Sequence, residues 1–163
     1  MRKFLSFLSF MCIGLLAQSG KIGYIDIKKV FDNYDEAKKI EANFKKEVDD
    51  AQKDLDKMEG EIKKMQEDYE KKKNMMKPEE QTKKENELKG KIQELSKKYL
   101  ETKQRLDERG KALENQIFEN IKKAISQYAK KNGYSIIVDS RMILYGENAV
   151  DLTDEIIKLL NEK

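Results

Sequence analysis

From Ala37 onward the apolar positions fall at Ala37, Ile40, Phe44, Val48, Ala51, Leu55, Met58, Ile62, Met65 and Tyr69, with Lys, Glu, Asp and Gln filling the gaps. Steps that alternate mostly between three and four residues are the a/d seam of a coiled coil, so this stretch is predicted to be one long helix. A second stripe runs Leu88, Ile92, Leu95, Tyr99, Thr102, Leu106, Arg109, Leu113 and Ile117. Its steps repeat the first set in reverse. Tyr69 with Leu88, Ile62 with Leu95, Leu55 with Thr102, Val48 with Arg109 and Phe44 with Leu113 all have the same sum of residue numbers, as two antiparallel helices folded about one point must. Half that sum falls between Pro78 and Glu79, beside the chain's only proline. Proline disfavours helix at Lys77 and suits the first turn of the next helix, where Glu79 and Glu80 add favourable negative charge.

The step from Phe44 to Val48 follows another four-residue step, and Arg109 to Leu113 is its partner, which marks a stutter that locally unwinds the supercoil. Each arm, from about Glu41 to the tip, is expected to extend roughly 55 Å. Beyond Leu113 the stripe widens to Ile117, Phe118, Ile121, Ala124, Ile125 and Tyr128, a face broad enough to pack on more than one helix.

Three short segments read as strands: Ile22 to Ile27, Tyr134 to Asp139 after the Asn132-Gly133 helix stop, and Met142 to Tyr145 before Gly146. Ile22 and Tyr24 oppose Ile25 and Ile27, and Ile136 and Val138 oppose Ile137, so both faces of the sheet are apolar, unlike a strand that alternates toward solvent. A last helix, Thr153 to about Asn161, is predicted with Thr153 as its cap and Ile156, Ile157, Leu159 and Leu160 on its apolar side. The chain's own helices can cover one face of the sheet. The other calls for copies of the chain around an axis, with Ile22, Tyr24, Ile136, Val138, Ile143 and Tyr145 as candidates for that assembly. The fold class is therefore α+β: a small β-rich oligomerisation body over 20–36 and 118–163, which the family resemblance given below implies is a trimerisation body, and a long antiparallel coiled-coil hairpin arm over 37–117.

Composition agrees with this shape, since 40% of the 163 residues are charged and Gly and Pro number only 8 and 1, as long exposed helices require. The first nineteen residues differ from the rest: Arg2-Lys3, an apolar run from Phe4 to Ala17, then Ala17-Gln18-Ser19 with small residues at alternate positions. This reads as a signal peptide with cleavage after Ser19. The apolar run, about fourteen residues, falls short of the ~20 needed to span a bilayer. Cys12 lies within it and would be discarded, leaving the exported chain without a disulfide and dependent on packing and oligomerisation. Taking Arg2 and Lys3 from the 34 basic side chains leaves them nearly balanced by the 31 acidic ones, so charge gives no case for nucleic acid binding.

The strand Lys21-Ile22-Gly23-Tyr24-Ile25-Asp26, the run Glu108-Arg109-Gly110-Lys111, the segment Gly133-Tyr134-Ser135-Ile136-Ile137-Val138-Asp139 and the closing Asp151-Leu152-Thr153-Asp154 together resemble the Skp/OmpH family of periplasmic chaperones. The resemblance covers the whole mature chain, and its specific signal lies in the strand and Asp-Leu-Thr-Asp segments. It implies a homotrimer whose three arms enclose a cavity for unfolded outer-membrane proteins, acting as a holdase without ATP. Family arms are often strongly basic. These mix Lys with nearly as many acidic residues, so the resemblance does not extend to long-range attraction of acidic clients.

Catalytic chemistry has little footing: the chain has no His, and no nucleophile elbow or phosphate-binding loop is present. No enzyme activity, cofactor or metal is expected, and Asp26, Asp139, Asp151 and Asp154 read as turn and cap residues rather than metal ligands. At the arm tip, Lys71, Lys72, Lys73, Met75, Met76 and Lys77, with Lys83 and Lys84 opposite, outweigh Glu79 and Glu80. They are the candidate contacts for client chains or anionic lipid head groups. The seam residues are assigned to packing, and client contact is expected at flanking positions, where exposed Lys stems can grip a nonpolar chain weakly at many points.

Overall fold

The computed structural model describes residues 20–162; the signal-peptide reading and Cys12 lie outside them. Strand β1 (Lys21–Ile25) is the first element of the described residues, followed by helix α1 (Ile27–Asn33) and helix α2 (Asp35–Lys72). Helix α3 (Pro78–Asn132) returns, strand β2 (Tyr134–Asp139) and the two-residue strand β3 (Val150–Asp151) follow, and helix α4 (Thr153–Asn161) closes the fold. The 38 residues of α2 and 55 of α3 correspond to lengths of roughly 57 and 82 Å. The α+β class with a helical arm on a small sheet-bearing body is thus what the chain adopts.

The sheet has the order β2-β1-β3, and both pairings are parallel. Parallel neighbours need a crossover, and between β1 and β2 that crossover is the entire hairpin. The arm therefore grows out of a βαβ unit. In the β1–β2 register Ile22 lies beside Ile136 and Tyr24 beside Val138, while Gly23 lies beside Ile137. Alternation then sends the first four side chains to one face and Ile25 and Ile137 to the other. The second face packs on the core: Ile25, Val30, Tyr34, Ala37, Ile117, Ile121, Ala124, Leu152, Ile156 and Leu160 form one buried cluster joining β1, all four helices and the chain entering α4.

Several local expectations are corrected. The first strand stops at Ile25, because the Asp26 carboxylate accepts the Lys29 N–H at 2.9 Å and caps α1; Ile27 is helical. Met142 to Tyr145 is not a strand. The Asp139 carboxylate accepts from the Arg141 backbone N–H at 3.0 Å and from its guanidinium, turning Ser140–Met142 into one turn of 3-10 helix. The third strand is instead Val150–Asp151. Thr153 is the first residue of α4, but it does not cap it. Its backbone N–H donates to the Asp151 carboxylate at 2.9 Å, and its hydroxyl accepts the Asp26 N–H at 2.9 Å, so the residue stitches β3, α4 and the start of α1 together.

Candidate interaction surfaces

The tip is built by backbone geometry. Helix α2 ends at Lys72, Lys73–Met75 form a 3-10 turn, and Met76 and Lys77 are extended, with ψ 147° and 151°, before Pro78 opens α3. Gln81 secures the loop, its amide nitrogen donating to the Lys73 carbonyl at 2.9 Å and the Met76 carbonyl at 3.2 Å. Across the hairpin the Tyr69 hydroxyl donates to Glu85, and Lys73 Nζ stands 5.3 Å from the Tyr69 ring. The Glu85 carboxylate accepting its proton pushes the Tyr69 phenol up to about 12. Lys84 pairs with Glu87 at 2.8 Å, which holds that carboxyl below its ordinary value. Lys71, Lys72, Lys77 and Lys83 point to solvent, and Met75 is 81% exposed. Met76 is half-buried and lines a small groove of about 150 Å³ with Met65, Tyr69 and Leu88. The tip residues singled out in the sequence are therefore one cluster, although Lys73 and Lys84 are engaged locally.

Along the arm, Leu55, Ile62 and Tyr69 on α2 and Thr102 on α3 are buried. Leu55 shares a groove with Thr102 and Tyr69 shares one with Leu88, in agreement with the expected pairs. Arg109 does not enter the seam opposite Val48; its Nε reaches the Glu47 carboxylate at 3.8 Å, and Arg105 pairs with the same group. A guanidinium without a buried anion is costly to desolvate, so it turns outward. Gly110 takes the place under Phe44, whose Cζ lies 3.4 Å from where a Cβ would stand.

The seam is also less closed than its spacing suggests. Tyr99 is 55% and Leu100 66% exposed, and Val48 is 37% exposed. Phe44, Val48, Leu55, Tyr99, Thr102 and Leu106 line an open groove of about 720 Å³ on one side of the hairpin. Periodicity assigned Tyr99 to packing and missed this surface. The available signal was Leu100, a large apolar residue outside the stripe.

On the body, Ile22 and Ile136 are 48% and 53% exposed beside the half-buried Tyr24 and Val138. Four of the six proposed assembly residues thus share one sheet face. Ile143 and Tyr145 do not, because their segment leaves the sheet; there Leu144 and Tyr145 project fully into solvent. Phe118 also remains exposed, along a groove between α3 and β2 that includes Ile27, Ile125 and Ile137. Among the described residues no acidic, His or Cys cluster could hold a metal ion, and no helix is long and apolar enough to cross a membrane.

The class these features define is a long helical-hairpin arm carried on a small parallel-sheet body, with apolar surface left open on both. The family model described as "Outer membrane protein (OmpH-like)" matches residues 21–160. The chain belongs to this OmpH-like family. Its fold is similar to the crystal structure of an OmpH-like protein from Caulobacter crescentus CB15, a candidate outer membrane chaperone, with a TM-score of 0.78 over 88% of this chain and 85% of that one. At 12% identity, what the two share is the fold. Among curated proteins nothing matches.

Proposed function

We propose that this protein is an ATP-independent periplasmic holdase that keeps unfolded outer-membrane proteins from aggregating, working as a homotrimer whose arms surround the client. The observation that carries this reading is the family match across arm and body together. The sequence of the first nineteen residues supports export with removal of a signal peptide, and the likeness to a candidate outer membrane chaperone supports the client class.

The open sheet face of Ile22, Tyr24, Ile136 and Val138 supports assembly. Isolated sheets of this kind leave apolar area and unpaired edges in water, and copies of the chain arranged about an axis bury both. Lys71, Lys72, Lys77, Lys83 and the exposed Met75 at the tip supply a basic, adaptable surface for clients or anionic head groups. Holding without nucleotide follows from many weak contacts, each easily lost, that together retain an unfolded chain.

The test is light scattering of a urea-denatured outer-membrane barrel protein diluted into buffer with the mature chain and no nucleotide. Scattering is expected to fall as the chain is added. Unchanged aggregation with excess chain present contradicts the reading.

A further inference from the structure

Helix α3 stops where Gly133 takes the left-handed conformation, φ 74° and ψ 30°, and its N–H donates to the Ala129 carbonyl. Glycine suits that position because it carries no Cβ. Asn132, the last helical residue, adds a second tie, its Nδ2 donating to the Tyr128 carbonyl at 2.9 Å. The same two residues form the dipeptide most prone to lose a side-chain amide, since no side chain on glycine keeps its nitrogen from the Asn Cγ. Of all the asparagines in the chain, only Asn132 precedes glycine. It is half-buried and lines an open groove of about 420 Å³, so water reaches it.

The chemistry needs only water. The Gly133 nitrogen gives up its proton and bonds to Cγ of Asn132, the Cγ–Nδ2 bond breaks, and ammonia leaves behind a five-membered succinimide. Water then opens either carbonyl of the ring, giving aspartate or isoaspartate. The fold restrains the first step at both ends. Ala129 holds the proton of the nucleophile, and Tyr128 holds the leaving group. Closing the ring also turns the Asn132–Gly133 peptide out of its helical orientation, so the cap bond must break first.

We propose that Asn132 is a modification site, converted by water to aspartate and isoaspartate at a rate set by how often the last turn of α3 opens. Opening a helix end costs less than unfolding the whole chain, so conversion proceeds in the folded protein. The product is felt at the corner. A carboxylate cannot donate to the Tyr128 carbonyl, and it sets negative charge at the C-terminal end of the helix dipole. Lys21, whose Nζ donates to the Asn132 carbonyl at 3.3 Å, offsets part of that charge. Isoaspartate adds one carbon to the main chain where Gly133 alone links α3 to β2 and where Tyr134 pairs with Lys21. Both products loosen the join between arm and sheet.

The experiment incubates the mature full-length chain in neutral buffer, folded and in urea beyond its unfolding midpoint. Peptide mapping follows each asparagine, and enzymatic methylation reads isoaspartate. In urea Asn132 is expected to convert fastest of all. In the folded chain its rate is expected to fall by about tenfold or more, while that of Asn148, exposed in the turn before β3, changes by less than about threefold. Tyr134→Ala removes the ring that stands 6.1 Å from Tyr128 and 5.6 Å from Lys21 Nζ. It is expected to raise the folded rate by about threefold or more and to leave the rate in urea unchanged. Should that variant not fold, Lys21→Ala, which removes the bond to the Asn132 carbonyl, serves in its place. Asn132→Asp is expected to lower Tm by about 2–4 °C.

Equal rates at Asn132 in folded and unfolded chains, faster conversion of another asparagine in urea, no conversion of Asn132 in the folded chain, or a folded rate indifferent to the corner variants would each overturn the proposal. An Asn132→Asp chain that melts as the wild type does would overturn the loosening of the join.

Discussion

The side chain of Asn161, near the end of α4, holds the start of the arm: its Oδ1 accepts the Asp35 N–H at 3.0 Å, and its Nδ2 donates to the Asn33 carbonyl at 2.9 Å. A residue 126 positions away thereby satisfies an orphan donor in the first turn of α2, whose own N-cap, Tyr34, makes no side-chain cap bond. Replacing Asn161 with Ala is expected to cost about 1 kcal/mol, the typical value of a lost cap. Urea unfolding followed by circular dichroism measures it; an unchanged midpoint would show the bridge to be energetically idle.

Tyr34 lies in the core where α1 meets α2, and burial, with its hydroxyl donating to Glu36, pushes its phenol up to about 12. The unfolded phenol ionises near 10. Because the folded value is the higher one, this contribution to stability is whole below pH 10 and is lost as pH rises toward 12. Comparing Tm of wild type and Tyr34→Phe across that window should show a steeper decline in wild type.

Gly60 and Gly90 sit inside the two arm helices, and a Cβ at either meets nothing within 4 Å. Alanine at each is expected to stabilise the arm by about 0.5–1 kcal/mol. Gly23 behaves oppositely. A Cβ there would lie 2.5 Å from Leu152 Cδ1 and 3.2 Å from Tyr134 Cδ1, and Leu152 is fully buried with no room to yield. Gly23→Ala is therefore expected to cost about 1–3 kcal/mol. Thermal melts of the three variants provide the comparison.

Charge placed on the open sheet face should prevent assembly without unfolding the body. Ile22→Asp combined with Ile136→Lys leaves the inner face of Ile25 and Ile137 intact. Sedimentation velocity is expected to show a folded monomer in place of the proposed trimer. A variant that still sediments as the wild type would remove this face from the interface.

The hairpin was legible because one physical rule, apolar contact every three or four residues, repeats along both arms and the lone proline marks the return. The stutter was visible too, but its outcome was not. Spacing alone put Arg109 opposite Val48, where no buried anion would offset the desolvation of its guanidinium, so the group turns outward toward Glu47. In the body, Ile25 and Ile27 alternate as a strand does, so the cap formed by Asp26 on Lys29 was hidden by the pattern. Met142 to Tyr145 has strand composition, yet the Asp139–Arg141 turn diverts it, and a strand of two residues such as Val150–Asp151 is too short to carry any period. The tip cluster was found because charge is additive along sequence. The groove beside Tyr99 was not, because periodicity says which residues face the partner helix and nothing of how tightly the two helices close.

The most direct measurement is the mass of the particle formed when the mature chain, without nucleotide, meets a denatured outer-membrane barrel protein, read by light scattering on a size-exclusion column. A soluble species is expected whose mass equals three copies of the chain plus one barrel protein, beside a free species of three copies. Recovery of the barrel protein in the pellet, with the chain eluting alone, would contradict the proposal that these arms hold unfolded clients.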